Sequence, residues 1–267
     1  MSSLVSVIMP TYNCGKYIAD SLDSVLRQTV DDWEIRIVDD CSTDDTAEVV
    51  RPYLERYPNI HFARLPRNGG PAAARTEAIR QAEGKFCAFL DSDDLWMPDK
   101  LEKQLAFMKK TGAAFSCAAY RQMDTDGNDL ATVVVPPEKT DYGKCIRLSN
   151  PIGNLTAVYD QEALGKFAVP PIRKRNDFAL WLQILKKTTY CYGMDEVLGV
   201  YRVGRSESVS HNKLAQATYH WQLYHQIEGH SLLRSAFEMG CWAFVKGTGI
   251  GLDIRRAEKP TDPTEKD

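Results

Sequence analysis

Three carboxylates stand together in Asp91-Ser92-Asp93-Asp94, directly after the apolar run Phe86-Cys-Ala-Phe-Leu90. Carboxylate oxygens packed this closely repel one another unless a cation joins them. Hard oxygen ligands suit Mg2+ or Mn2+, usually together with phosphate. A short apolar run of this kind reads as a buried strand. Acids at its carboxyl end lie where open α/β sheets bind ligands. The chemistry indicated is a metal–diphosphate site. Three further groups end apolar runs in the same way: Pro10-Thr11-Tyr12-Asn13, Asp39-Asp40, and Asn68-Gly69-Gly70 with Arg75 behind it. Each alone has an ordinary reading as a turn, a helix cap or a solvated helix face. Together they converge on one sheet edge, and a nucleotide sugar fits that convergence. Tyr12 offers a ring to stack on a base. Asp39 can accept from a base N–H or a ribose hydroxyl. Arg75 is a fixed cation for phosphate or for an acidic neighbour. Asp93 can hold a divalent ion that bridges two phosphates and eases their departure.

These groups need a scaffold, and the residue pattern supplies one. Val5–Met9, Glu34–Val38, Ile60–Leu65 and Phe86–Leu90 read as strands, the first closed by Pro10. Helical spacing of apolar residues covers 16–28, and Ser42 or Asp44 can cap a second helix that Pro52 kinks or shortens. Pro71 opens a third helix and Pro98 a fourth. This alternation predicts an α/β fold with a doubly wound, mostly parallel, Rossmann-like sheet. Beyond it, 113–123 and 130–135 read as a small antiparallel hairpin, 176–187 as an amphipathic helix and 199–203 as a short strand. The expected organisation is a catalytic domain over 1–210, split into a nucleotide-binding half (1–112) and an acceptor half (113–210). C-terminal helices follow over 211–253, then a polar, disordered tail over 254–267.

Composition sets outer bounds. With 267 residues, 43% of them hydrophobic and 26% charged, the chain is sized for one soluble domain with an appendage. A net charge of −3 argues against nucleic acid as a partner. The seven cysteines are scattered, odd in number and without metal-ligand spacing, which fits a reduced cytoplasmic setting. No signal peptide and no membrane-spanning apolar stretch is visible.

Four blocks in order, Val5-Ser-Val-Ile-Met-Pro-Thr-Tyr-Asn13, Val38-Asp-Asp-Cys-Ser-Thr-Asp44, Asn68-Gly-Gly-Pro-Ala-Ala-Ala-Arg75 and Phe89-Leu-Asp-Ser-Asp-Asp94, resemble the inverting family-2 glycosyltransferases. The resemblance is close to about residue 110 and looser to about Val203. It implies a GT-A fold and metal-dependent transfer from a nucleotide sugar, a UDP-sugar first, to a glycan hydroxyl. It further implies that Pro10, Thr11, Tyr12 and Asn13 border the nucleobase and that Asp39 binds uracil. Arg75 then lies near base and phosphates. Asp91, Ser92 and Asp93 form the Asp-x-Asp element, with Asp93 the leading ligand for Mn2+ or Mg2+ and Asp91 in support. The family's base is an Asp in a Glu-Asp pair that starts a later helix. Asn176-Asp177 fills that place, so Asp177 is the base and Asn176 replaces the usual Glu. Thr76 stands where Asn is common, and Gly204 where many relatives carry His, which leaves His211 or Lys213 to serve the diphosphate. Asp94, Trp96 and Trp181 are candidates on the sugar and acceptor side, each tryptophan having a core reading as well. Relatives with this C-terminal pattern build lipopolysaccharide, O-antigen or capsule on a polyprenyl-diphosphate carrier. A peripheral contact with the inner face of the membrane is therefore expected through the C-terminal helices, where aromatic and basic residues alternate. The other readings are a nucleotide-sugar-binding protein without turnover and, remotely, a Mg-dependent phosphatase whose Asp-x-Asp would have to follow the first strand. A dinucleotide oxidoreductase lacks its Gly-x-Gly-x-x-Gly.

Overall fold

In the first strand Val7 and Met9 pack into one core and Ile8 into another. Alternate side chains of a strand point to opposite faces, so burial of both sets means a sheet covered on both sides. The computed structural model describes residues 4–148, 150–204, 213–248 and 253–256. Its parallel half is β1 (Val5–Thr11), β2 (Trp33–Asp39), β3 (Ile60–Arg64) and β4 (Phe86–Phe89), in the order β3-β2-β1-β4. These are connected by α1 (Gly15–Leu26), α2 (Thr46–Arg56) and α3 (Pro71–Gln81). Ile18, Leu22 and Val25 of α1 and Val50 of α2 pack on the Val7–Met9 face. Ala74, Ala78 and Ile79 of α3 cover the other.

The chain then runs through β5 (Leu95–Trp96), α4 (Lys100–Thr111), β6 (Phe115–Met123), β7 (Asp129–Val135), β8 (Lys139–Thr140), α5 (Tyr142–Leu148), β9 (Val158–Asp160) and α6 (Gln161–Leu164). It ends with α7 (Asn176–Leu185), β10 (Cys191–Arg202), α8 (Lys213–Trp221), a π-helical turn, α9 (Leu232–Thr248) and β11 (Asp253–Arg256). The three-residue β9 pairs antiparallel with β4 on one side and with β6 on the other. It joins the parallel half to the β6–β7 hairpin, and β11 extends that hairpin.

Several expectations change. β1 runs on through Pro10 to Thr11. Ile8 O accepts from Leu90 N, so Pro10, two residues on, also turns its backbone toward β4; that ladder ends at Ile8, and no bond needs the missing N–H. α2 continues through the exposed Pro52, whose helix face lies at solvent. β10 has 12 residues rather than the short run at 199–203, because its register shifts between Met194 and Val197 and again before Gly199 break the alternation. Ile254, Arg255 and Arg256, assigned by composition to the tail, belong to β11: Ile254 pairs with Val134. Residues 257–267 and His211 lie outside the described residues. The seven cysteines are free thiols.

Candidate active site

At the carboxyl ends of the parallel strands a cavity of about 390 Å3 opens. Pro10, Thr11 and Tyr12 line it from β1, Asp40 from the turn after β2, and Asn68, Gly70, Pro71, Ala74 and Arg75 from the start of α3. Asp91, Ser92 and Asp93 enter after β4, and Arg173 from the segment before α7. Tyr12 is 41% exposed at the rim, as a stacking ring would be. A larger cavity of about 860 Å3, between Phe107, Pro136, Met194 and Arg255, holds none of the strand-end groups. Chemistry singles out the smaller one.

The loops around this cavity are unusual in their backbone. Asn13, Cys41 and Arg175 all adopt positive φ (46°, 64° and 63°), a region costly for side chains other than glycine. Asn13 does not line the cavity. Its N–H donates to Ser42 Oγ (2.9 Å) and its Oδ1 accepts from Thr43 N (2.8 Å), which ties the β1 loop to the β2 loop. Asp39 was expected to face the base. It is fully buried, and its carboxylate accepts from the Ser42 N–H (3.1 and 3.2 Å) and the Ser42 hydroxyl, with Arg64 Nε 3.5 Å away. Its neighbour Asp40 reaches the cavity instead. Asp40 accepts from Gly69 N (2.6 Å) and Gly70 N (2.8 Å), and so holds the turn that launches α3. Gly70 sits at φ 83° immediately before Pro71, the first residue of that helix.

Arg75 is the hinge of the arrangement. Its guanidinium is 4% exposed and donates from Nη2 to Asp91 Oδ1 (2.7 Å) and from Nη1 to Asn176 Oδ1. One buried cation thus joins the acidic turn after β4 to the first turn of α7. Arg75 Nε, Thr11 Oγ1 and Asp94 Oδ2 are buried without a hydrogen-bond partner. Such orphans are rare in settled interiors, and three around one cavity mark a site rather than a core.

Asp177 is the second residue of α7, at the positive end of the helix dipole, and is half-buried. Phe178, Leu180, Trp181, Leu182, Ile184 and Leu185 behind it are buried, so the helix bearing the carboxylate is fixed by its own apolar face. Among the described residues Asp177 accepts no hydrogen bond. Asp94, by contrast, is buried. Its Oδ1 accepts from Arg202 N (2.9 Å), and burial together with the charges of Asp93 and Asp91 pushes its carboxyl well above the ordinary range. It braces the turn and offers no surface to a sugar. Arg202 completes the brace: its Nε donates to Asp93 O (3.0 Å) and its guanidinium lies 4.5 Å over Tyr17.

Two aromatic candidates fall into the core. Trp96 is 4% exposed and donates to Leu155 O (2.6 Å); Trp181 is fully buried, edge-on to Phe89 at 4.9 Å. Neither ring has a face for an acceptor. Tyr120 and Tyr201, not singled out by sequence, meet edge to face at 6.0 Å. Burial, then the charges of Asp94 and others including Asp177, pushes the Tyr120 hydroxyl up to about 12. Burial and the charges of Asp94, Asp93 and Asp91 push Tyr201 up as well. The tyrosines therefore stand between the acidic turn and the helix of Asp177. The signal for Tyr201 was its place beside Arg202 in the Tyr-Arg pair. Gly204 has φ 89°, a conformation in which the His of many relatives would be strained. Thr76 accepts from Val169 N (2.9 Å), a local role. Lys213 is the first residue of α8.

Among the described residues no three His, Cys, Asp or Glu side chains are grouped to hold a metal ion. A divalent ion would take Asp93 and Asp91 and complete its shell with donor phosphate oxygens and water, as Mg2+ commonly does.

Comparison with known proteins agrees with this geometry. The model of glycosyl transferase family 2 matches residues 6–161. The chain is 43% identical over 243 residues to TuaG of Bacillus subtilis (strain 168), a glycosyltransferase named for teichuronic acid biosynthesis; the match covers 91% of this chain and 94% of that one. It is 36% identical to the Escherichia coli UDP-Glc:alpha-D-GlcNAc-diphosphoundecaprenol beta-1,3-glucosyltransferase WfgD, over 82% of this chain and 85% of the relative. In fold it is similar to S. aureus TarS in complex with UDP-GlcNAc, at TM-score 0.70 and 24% identity, covering 92% of this chain and 72% of TarS. It is also similar to the Pyrobaculum calidifontis mannosyltransferase PcManGT in complex with GDP-Man and Mn2+, at TM-score 0.64 and 19% identity, covering 93% and 75%. Strand order 3-2-1-4, acids after the fourth strand and a carboxylate opening a later helix belong together here: the chain is a GT-A glycosyltransferase of glycosyl transferase family 2.

Proposed function

We propose that the chain moves a sugar, with inversion, from a UDP-sugar to a hydroxyl of a lipid-linked glycan during bacterial surface-polysaccharide synthesis. The observation that carries the reading is the Arg75 bridge. It fixes the donor-side acids and the helix of Asp177 to one guanidinium, as a single displacement with one base requires. The donor and acceptor classes are supported by the names of WfgD and TarS.

Asp177 accepts the proton of the acceptor hydroxyl as its oxygen bonds to the anomeric carbon. The bond from that carbon to the diphosphate oxygen breaks on the opposite face, and UDP leaves with the electron pair. A base in hydrogen-bond reach contributes about 10²–10⁴-fold. Asp93 and Asp91 hold Mn2+ or Mg2+, which neutralises charge on the departing diphosphate. Arg75 and Arg173 add fixed positive charge at the cavity wall. Tyr12 stacks on the base, and Asp40 is the acid that reaches the cavity from the β2 loop.

The test is UDP release from a panel of UDP-, GDP- and dTDP-sugars, with and without Mn2+, against a lipid-diphosphate-linked acceptor and a blank. Acceptor-dependent release from one UDP-sugar is expected. Turnover of only GDP- or dTDP-sugars would overturn the donor class. Donor binding with no acceptor-dependent release would favour a binding protein.

A further inference from the structure

Away from the active site, α9 presents an apolar face to solvent. Leu233 is 87% exposed, Phe244 65% and Phe237 63%. Positions 233, 237, 240/241 and 244 follow helical spacing, so they form one stripe. Leu148, at the end of α5, lies beside it and closes an apolar cavity of about 380 Å3 with Phe237, Cys241, Phe244 and Val245. Patches of this kind on a soluble protein mark interaction surfaces.

Charge tells what covers it. α5 carries no acid, and Lys144 and Arg147 are exposed on it. Lys144 stands one turn before Leu148 and shares its face. On α9, Arg234 is exposed and the one acid, Glu238, is buried, bound to His230 (2.7 Å) and Arg234 (3.1 Å). Glu228, in the turn before α9, is likewise turned inward to Lys186 (2.7 Å) and the Tyr142 hydroxyl. Acids inside, bases outside and aromatic rings at the water boundary suit an anionic lipid surface better than a second copy of a chain with net charge −3. No helix among the described residues is long and apolar enough to cross a membrane. We infer that the α5–α9 face, with Phe237 and Phe244 as apolar anchors and Lys144 and Arg147 as the charged contact, lays the enzyme on an anionic bilayer. This goes beyond the proposed transfer and does not depend on it, because binding needs neither donor nor acceptor.

The experiment is flotation of the full chain with vesicles of phosphatidylglycerol in phosphatidylcholine, and with phosphatidylcholine alone. Binding to the anionic vesicles that weakens with salt is expected. Lys144→Glu and Arg147→Glu should each weaken it by roughly fivefold or more. Phe237→Ser and Phe244→Ser should each cost about tenfold. All four residues are exposed, and UDP release with a water-soluble acceptor in detergent-free buffer reports that the variants remain folded. Equal binding to neutral vesicles, no binding to either, or binding untouched by the four substitutions would overturn the inference. So would light scattering that finds a dimer in wild type and a monomer in Phe237→Ser, because a second copy would then own the face.

Discussion

The two ends of the parallel sheet treat their carboxylates in opposite ways. At the amino end Glu34 is buried and fully served. Ser6 Oγ donates to it, Glu83 N donates at 2.7 Å, and the Arg36 guanidinium pairs with it. Ser6 Oγ in turn accepts from Gly84 N (2.8 Å), and a Cβ on Gly84 would lie 2.6 Å from Ser6 N, so the strands close there without slack. At the carboxyl end Asp91, Asp93 and Asp94 crowd one turn, Asp94 keeps an orphan oxygen, and three loop residues hold positive φ. The same residue type serves stability where its partners are complete and chemistry where they are left for a ligand. Substitutions should therefore separate: activity without stability at one end, stability without activity at the other.

The largest effect belongs to Asp177. Asp177→Asn keeps shape and helix but removes the proton acceptor. It should lower kcat by about 10²–10⁴-fold. Its melting temperature should stay close to wild type, because Asp177 makes no hydrogen bond among the described residues. A variant with near-normal kcat would remove Asp177 from the mechanism. A variant that melts far lower would break the comparison itself.

Glu34→Ala is the mirror experiment. It strands the Arg36 charge and the Glu83 N–H in a buried place, which should cost about 3–5 kcal/mol in denaturant unfolding. The folded fraction should keep kcat and KM, because the cavity at the other end is untouched. A change in KM for donor larger than the loss of folded protein would show that the two ends are coupled.

Much of this division was legible in the residues. The four apolar runs fall where the strands are, and each ends in a polar block that reaches the same edge. What could not be read was which of two adjacent groups turns inward. Asp39 and Asp40 are both acids after β2. Ser42 and the left-handed Cys41 bend the loop so that Asp39 is buried and Asp40 faces the cavity. Trp96 and Trp181 stand next to functional acids in the chain but pack into the two cores, since helix and strand send neighbours to different faces. β9 is three residues long, too short for a periodic signal, and β10 hides its alternation behind bulges. Tyr120 faces Tyr201 only because β6 and β10 pair in parallel.

Asn176 is where the division should blur. It is buried at the carboxyl end, yet it works as a structural partner, accepting from Arg75. Asn176→Ala leaves a second Arg75 nitrogen unpaired beside the orphan Nε and should cost about 1–3 kcal/mol of stability. With Arg75 held by Asp91 alone, donor KM should rise by about tenfold while kcat falls less. Asn176→Asp restores an acceptor and adds the charge the family usually carries there, so it should recover both. Loss of kcat alone in Asn176→Ala would place Asn176 with the base and not with the cation.

The smallest effect is one of pH, and it belongs to the amino end. Burial raises the Glu34 carboxyl, but the bonds from Arg36, Ser6 and the Glu83 N–H outweigh it, so the group sits below its ordinary 4.5 in the folded chain. The folded state thus gives up this proton more readily than the unfolded one. The stability it contributes is present above 4.5 and is lost as pH falls through the lower folded value. Glu34→Gln keeps an acceptor oxygen but cannot titrate. Its melting temperature should be lower than wild type at neutral pH, and the gap should close on acidification below 4.5, because wild type then pays for protonation and the variant does not. Other acids titrate in both proteins and cancel in the difference. A gap that stays constant or widens toward acid would mean that Glu34 enters the folded chain already protonated. The contrast between a served carboxylate at one end and crowded ones at the other would then fail at its reference point.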